Sequence, residues 1–153
     1  MLGEELLREV DGKNVIDFAC GEGAEAVELA RHGARVWGLD IREQCLARAR
    51  ERARTAGLED RCRFGPRPSE PADIIVTVDS FEHFEDPAAV LAQMFALLKS
   101  GGRVLASFGP TWYHPLGGHT FSVFPWAHLL FSERALIRWR SDIRTDERRA
   151  FTK

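Results

Sequence analysis

Short apolar runs alternate with longer segments of helical spacing over the first two thirds of the chain. The runs are rich in Val, Ile, Leu and Phe and end at charged residues or glycine, a pattern that predicts strands. Between them, apolar residues recur three and four positions apart, which predicts helices. The predicted strands are residues 15–19, 35–39, 61–64, 74–78 and 103–108, and the predicted helices are residues 2–10, 24–32, 42–56 and 88–99.

Glycine and proline mark the predicted helix ends. Gly33 and Gly57 follow the last periodic residues of two helices, and Pro87 stands in the first turn of a third. These are the positions that each residue type favours. We expect Gly101 and Gly102 to end the last of these helices before the strand at 103–108 begins.

Strands alternating with helices of this length predict right-handed crossovers and an open, mostly parallel sheet. The β-branched run at 74–78 is typical of a central strand that is buried on both faces. The predicted fold class is therefore α/β, a Rossmann-like doubly wound sheet with five recognisable strands. We expect one domain over residues 1–153, with a core at 1–109 and, at 110–153, a loop rich in aromatic residues and histidine followed by a charged helix.

Composition narrows the class of partner. The chain has 21 basic and 23 acidic residues, and the net charge of -2 favours neither nucleic acid nor an anionic membrane. No apolar run approaches the roughly 20 residues that span a bilayer, and no secretory signal is recognisable. We expect a cytoplasmic protein with three reduced cysteines, because Cys20, Cys45 and Cys62 form neither a disulfide scaffold nor a CxxC zinc pair.

The strongest chemical signal lies where the first strand passes into a helix, at residues 17–23, DFACGEG. Gly21 and Gly23 would let a ligand approach the backbone closely, beside a helix N-terminus that favours polar groups. Asp40 ends the second strand 17 positions after Gly23. Nucleoside-binding proteins place an acid there to accept the ribose hydroxyls, and we expect Asp40 to be an exposed strand-end acid. An ordinary structural turn without a ligand is the alternative.

These residues resemble the D-x-G-x-G-x-G motif of class I S-adenosylmethionine-dependent methyltransferases, with Ala19 in place of the first glycine. The resemblance covers residues 13–109 and is closest to the small-molecule branch that includes ubiquinone and menaquinone methyltransferases. It implies S-adenosylmethionine as the cofactor. The residues that it places against the cofactor are Asp17, Ala19, Cys20, Gly21 and Gly23 on the methionine side, Asp40 at the ribose, and Ile41 and Asp79.

Two later segments carry the same resemblance. Residues 79–87, DSFEHFEDP, resemble the segment that follows strand four, and residues 97–104, LLKSGGRV, resemble the turn into strand five. Where the family has an acid after strand three, this chain has Gly65-Pro66-Arg67. If the acceptor is a hydroxyl, His83 is the candidate base by its place in the motif. The alternative is that His83 orients the loop and that Asp79 caps a turn.

Aromatic residues and histidines crowd the segment after the fifth strand. Aromatic faces and a Gly-Gly loop suit an acceptor pocket or lid, for which the candidate residues are Trp112, Tyr113, His114 and His119. The alternative is that the apolar residues that follow form core where a loop and a helix fold back on the sheet, namely Phe121, Phe124, Trp126, Leu129, Leu130 and Phe131. A metal site from His114, His119, His128 and Glu133 matches no known spacing, so we expect no metal.

The predicted function is methyl transfer from S-adenosylmethionine to oxygen or carbon of a small-molecule acceptor. Two alternatives stay open. An inactive binding or interaction module is favoured because no sixth or seventh strand is recognisable. A nicotinamide-dependent oxidoreductase also uses glycines and a strand-two acid, and Gly21, Gly23 and Ala26 satisfy its fingerprint. An exposed edge at the fifth strand would favour a homodimer.

Overall fold

The structure is a computed structural model that describes residues 3–109, 113–115 and 124–143. Its residues group into two compact units, Met1–Ser107 and Phe108–Lys153. The single-domain organisation expected for residues 1–153 stays a prediction.

The first unit holds four α-helices, five strands and one short 3₁₀ turn at Phe81–His83. The strands are β1 (Asn14–Phe18), β2 (Arg35–Leu39), β3 (Cys62–Gly65), β4 (Ala72–Val78) and β5 (Leu98–Ser107). The helices are α1 (Glu4–Glu9), α2 (Ala24–Arg31), α3 (Glu43–Thr55) and α4 (Pro87–Ala96).

All five strands pair in parallel, in the order β3-β2-β1-β4-β5. The order reverses at β1, where the chain leaves one half of the sheet for the other. In open α/β sheets, ligands bind beyond the carboxyl ends of the strands at such a switch point. The α/β fold class and the five strands expected from the sequence are confirmed.

The core lies on both faces of the sheet. Val15 and Ile74 pack on one face against α2 and α3, whereas Ile16 and Ile75 pack on the other with Met94 of α4. All five side chains are at most 1% exposed. Because neighbouring residues of a strand point to opposite faces, β1 and β4 are buried on both sides, as expected for the central run at 74–78.

The junction between α4 and β5 corrects the sequence prediction. The helix ends at Ala96, before residues 97–99, and β5 begins at Leu98 and continues through the two glycines. Leu98 pairs with Ala72, and the Lys99 ammonium contacts the carboxylate of Asp73 at 2.9 Å. A register shift between Ala72 and Ile74 accommodates the extra residues, with Gly101 at φ +76°. Gly101 therefore lies in an irregular part of β5, where its positive φ fits the register shift, and does not end a helix.

Asp86 and Pro87 have a structural role at the start of α4. The Asp86 carboxylate accepts a hydrogen bond from the Ala89 N–H at 2.9 Å, and Pro87 occupies the first helical turn. This is a side-chain cap of a helix N-terminus followed by the residue type that favours that position. The DP pair of the resemblance thus begins the helix.

The second unit contains α5 (Ala127–Leu130) and α6 (Glu133–Ile143). Ala127 and Leu136 are its buried apolar residues, with Ile137 packed against them. Trp126 lies beside Tyr113, whose carbonyl oxygen accepts a hydrogen bond from the indole N–H at 3.2 Å. Phe124, Leu130 and Phe131 are more than half exposed. Their place in a core against the sheet stays a prediction.

Among the described helices, none combines the length and the apolar composition that crossing a bilayer requires.

Candidate functional site

A cleft of about 800 Å³ opens at the carboxyl ends of β1, β2 and β4. Five of the residues singled out from the sequence line it: Ala19, Asp40, Ile41, Asp79 and His83. They come from the ends of three neighbouring strands, and parallel pairing brings these ends to one edge of the sheet. The structure therefore gathers in one place residues up to 64 positions apart in the sequence.

The turn after β1 places backbone groups at the edge of this cleft. Ala19 has φ +62° and Gly21 φ +51°, both in the left-handed region. A methyl group added at Gly21 would meet only the Arg42 guanidinium, at 3.9 Å, so the backbone is open to close approach there. Ala19 holds a conformation that glycine adopts more easily, which is the physical meaning of the alanine that replaces the family's first glycine.

Asp40 is held by four hydrogen bonds. Its Oδ2 atom accepts from the Gly21 N–H at 3.0 Å and from Nη2 of Arg42 at 3.1 Å. Its Oδ1 atom accepts from the Arg42 N–H at 2.8 Å and from Nε of Arg42 at 3.1 Å. The side chain is only 4% exposed, so the expectation of an exposed acid is wrong: the turn and the start of α3 close over it. Burial tends to raise the pKa of Asp40, but the bonds from Arg42 and Gly21 outweigh it and hold that pKa below its usual range.

Asp17 is the second-to-last residue of β1, just before the turn. It is 2% exposed, and among the described residues its Oδ2 atom has no hydrogen-bond partner. Burial, and then the charge of Glu25, raise the pKa of Asp17 to about 7. Such a carboxyl group is poised to stabilise a cation that approaches the strand end, since a nearby positive charge favours its ionised form.

Cys20 and Gly23 do not line the cleft. Cys20 is 5% exposed, and burial followed by the charge of Asp17 raises the pKa of its thiol. It is thus a neutral thiol in the core rather than a nucleophile. Gly23 has φ +74°, and a methyl group there would lie 2.8 Å from Cβ of Ala49 and 3.0 Å from Phe64. Gly23 lets α2 approach α3 and β3, and a binding role for either residue stays a prediction.

The segment after β4 forms the opposite wall. Asp79 has φ +47°, and its N–H donates to the carbonyl oxygen of Ser107 at 2.8 Å. The hydroxyl of Ser80 is buried against that of Thr77. His83 is exposed at the rim and its N–H donates to the Ser80 carbonyl at 3.0 Å. His83 therefore lines the cleft, and a hydrogen bond holds its backbone in place.

Sequence reasoning missed most of the remaining wall. In the sequence, Arg42 belongs to the predicted helix at 42–56, and nothing else there marks it as a site residue. Its position two residues after Asp40 is the signal that could have predicted an ion pair between the two side chains. Pro66, Arg67 and Pro68 follow β3, where the family has an acid, and line the same cleft. The apolar part of the wall comes from several elements, namely Phe18, Leu39, Phe84, Val90 and Leu97.

The candidate acceptor residues belong to the second unit or lie outside the described residues. Tyr113 is 80% exposed and His114 is also exposed. Trp112 and His119 are outside the described ranges, so their part in an acceptor pocket stays a prediction. Within the described ranges, no group of three His, Cys, Asp or Glu side chains is placed to hold a metal ion; His119 is not among those residues.

The comparisons with known proteins agree on the family. A family model described as a methyltransferase domain matches residues 2–143. A ubiquinone biosynthesis O-methyltransferase from Stutzerimonas stutzeri is 35% identical over 102 residues, which are 63% of this chain and 44% of that protein. The methyltransferase GfsG from Streptomyces halstedii is 36% identical over 112 residues, 66% of this chain and 40% of the relative. The chain thus spans less than half the length of these curated relatives.

Solved structures show the same architecture. An S-adenosylmethionine-dependent methyltransferase from Mesorhizobium loti is 28% identical, with a TM-score of 0.59 over 74% of this chain and 52% of that one. Since the family model matches residues 2–143 and this solved neighbour shares the fold, this protein belongs to the methyltransferase domain family, within the class I S-adenosylmethionine-dependent group and its small-molecule branch.

Proposed function

We propose that this chain binds S-adenosylmethionine in the cleft at the carboxyl ends of β1, β2 and β4 and directs methyl transfer to an oxygen atom of a small-molecule acceptor. The observation that carries the proposal is the convergence on one cleft of Ala19 from the turn after β1, Asp40 from the end of β2, and Asp79 and His83 from the segment after β4. Two findings favour oxygen: several relatives are named O-methyltransferases, and His83 lies at the rim.

The residues present suit this cofactor. The open backbone at Gly21 admits close approach. The Asp17 oxygen that has no partner among the described residues would become ionised when a cation approaches the turn. Asp40 lines the cleft, and its carboxylate would accept ribose hydroxyls once the Arg42 side chain that it binds moves aside. The side chains of Leu39, Ile41 and Pro66 offer apolar surface beside it. When bound, S-adenosylmethionine supplies an activated methyl group on a sulfonium sulfur.

Electrostatics favour this cationic cofactor over a dinucleotide. Asp17 and Glu25 both lie at the glycine turn, and the charge of Glu25 already raises the pKa of Asp17. A pyrophosphate placed there would meet further like charge, whereas a sulfonium and an ammonium would relieve it. The comparisons support neither the nicotinamide-dependent alternative nor the inactive module.

His83 is the proposed base. Its imidazole is exposed at the cleft rim, and its backbone is fixed by the 3₁₀ turn. A histidine there accepts the proton that the acceptor hydroxyl loses as its oxygen forms the new bond. Positioning and exclusion of water by the apolar wall supply the rest of the rate. The apolar lining from Phe18, Phe84 and Val90 favours a flat, largely apolar acceptor, of which phenols and quinols are the first to test.

Calorimetry with S-adenosylhomocysteine, S-adenosylmethionine and NADH tests the cofactor. We expect the first two to bind and NADH to show no heat. Asp40→Ala and the isosteric Asp40→Asn should each lose at least tenfold in affinity, since charge-assisted bonds to the ribose are lost. Asp73→Ala is the matched control. Like Asp40, Asp73 accepts hydrogen bonds from a backbone N–H, that of Asn14 at 2.9 Å, and from a cationic side chain, that of Lys99 at 2.9 Å, but it lies outside the cleft.

Asp73→Ala should keep wild-type affinity. If the wild-type protein binds neither sulfur nucleoside, or binds NADH instead, the proposed function is wrong. Transfer from labelled donor to phenols and quinols then tests the acceptor class, and His83→Ala should slow transfer without weakening S-adenosylhomocysteine binding.

We also propose that the protein acts without nucleic acid and associates as a homodimer. The net charge of -2 offers no general attraction to phosphate backbones. The support for a dimer is the edge of β5, which pairs with β4 on one side only among the described strands.

A further inference from the structure

The carboxylate of Asp40 has no acceptor capacity left for a ligand. A carboxylate offers about four lone-pair directions, and four donors occupy them here. These donors are the Gly21 N–H, the Arg42 N–H, and Nε and Nη2 of Arg42, at 2.8–3.1 Å. Two ribose hydroxyls cannot be accepted unless two of these bonds are given up.

Only one pair of donors is free to leave. The Gly21 and Arg42 N–H groups belong to the backbone of the turn and of the start of α3. The Arg42 side chain, by contrast, is 64% exposed and lines the cleft. Its rotation outward would disturb no buried packing.

The Arg42 guanidinium binds Asp40 with two adjacent donors, which is also how a vicinal diol would bind a carboxylate. Nε donates to Oδ1 and Nη2 donates to Oδ2, so two adjacent donors of one planar group address the two oxygens separately. A ribose 2′,3′-diol also presents two adjacent donors. The guanidinium and the diol therefore compete for the same two acceptor positions.

We infer that Arg42 is an internal competitor of the ribose: its guanidinium occupies the diol positions on Asp40 and swings away when a nucleoside binds. Arg42 thereby sets the affinity and the diol selectivity of the cleft. The inference rests on the proposed function, because the nucleoside in question is that of the cofactor.

The competition has a modest and measurable size. Exposed ion pairs contribute about 0.2–1 kcal/mol. This pair is bidentate, so we expect the upper part of that range, about 0.4–1 kcal/mol, which corresponds to binding of a diol ligand tightened about two- to fivefold when the competitor is removed. The sign of the affinity change distinguishes a competitor from a positioning residue, because removing a competitor tightens binding. A residue that merely positions Asp40 would, when removed, weaken binding.

The first experiment is calorimetry with S-adenosylhomocysteine at pH 7.5 on four proteins: the wild type, Arg42→Ala, Arg42→Lys and Arg54→Ala. Arg42→Ala should bind about two- to fivefold more tightly than the wild type. Arg42→Lys keeps the charge but lacks the fork, and should fall between them. Arg54→Ala is the matched control, because Arg54 is an exposed arginine of α3 that grips Glu51 through Nε and Nη2 and lies outside the cleft.

The second experiment uses matched nucleosides. Adenosine and 2′,3′-dideoxyadenosine differ only in the diol, and their binding is followed by NMR chemical-shift titration of the wild type and Arg42→Ala. The variant should bind adenosine more tightly and the dideoxy compound with unchanged affinity, because the latter makes no demand on Asp40.

Arg42→Ala binding S-adenosylhomocysteine as weakly as the wild type or more weakly would overturn the inference, as would an equal gain for the dideoxy nucleoside. A gain of the same size in Arg54→Ala would also overturn it, since the effect would then be one of net charge. If none of the four proteins binds S-adenosylhomocysteine, the proposed function fails and this inference falls with it.

Discussion

At the scale of single residues, Asp17 has the most unusual environment among the described carboxyl groups. It is almost fully buried, one of its oxygens has no partner among the described residues, and its pKa is raised to about 7, first by burial and then by Glu25. A pKa raised in the folded state means that folding favours the protonated form. The stability that this form contributes is fully present below the unfolded pKa of 3.8 and is lost as the pH rises through about 7.

Asp17→Asn removes this titration. The free energy of unfolding of the variant minus that of the wild type should therefore increase by about 2–3 kcal/mol between pH 5 and pH 8. Urea unfolding at the two pH values measures it. The comparison between pH values cancels any constant effect of the amide on packing, and a difference that does not change with pH would show that Asp17 is already ionised at pH 5.

At the scale of elements, the contact of α2 with α3 depends on Gly23. Its φ of +74° and the 2.8 Å that would separate an added methyl group from Cβ of Ala49 are two separate reasons for glycine. Gly57 has a similar φ of +66° but no atom within 4 Å of such a methyl group. The two positions therefore separate backbone strain from steric overlap.

Gly57→Ala should destabilise the protein by about 1 kcal/mol, from strain alone. Gly23→Ala should cost about 2–4 kcal/mol, because overpacking adds to the same strain. Chemical denaturation of both variants beside the wild type provides the measurement. Equal losses would mean that α2 and α3 separate without cost and that Gly23 serves the turn only.

At the scale of the whole molecule, β5 is an edge strand of the sheet that the described residues form. β5 is ten residues long and pairs with β4 on one side, and no strand in the described part of the chain pairs with its other side. On the neighbouring helix α4, Phe95 is 67% exposed. An unpaired edge beside exposed apolar surface favours association with a second chain.

Light scattering after size exclusion should therefore give twice the chain mass of 17.3 kDa. Ala106→Lys, which adds a charge at an exposed position of β5, should shift the mass toward the monomer, because edge lysines oppose pairing. A stable wild-type monomer across concentrations would refute the dimer.

The sequence by itself determined the order of strands and helices, the class of the sheet and the location of the cleft. These follow from short-range information: the period of apolar residues, the glycines of the turn and the position of Asp40 at a strand end. The same residues also carried the resemblance to the methyltransferase family.

Only the tertiary structure decided features that depend on residues distant in sequence. The start of β5 at Leu98 follows from its pairing with Ala72, and the requirement for glycine at position 23 follows from Ala49 and Phe64. The burial of Asp40 under four donors likewise depends on how β1, β2 and α3 meet. Local periodicity carries no information on such contacts, because they arise from the packing of elements that the chain brings together after they form.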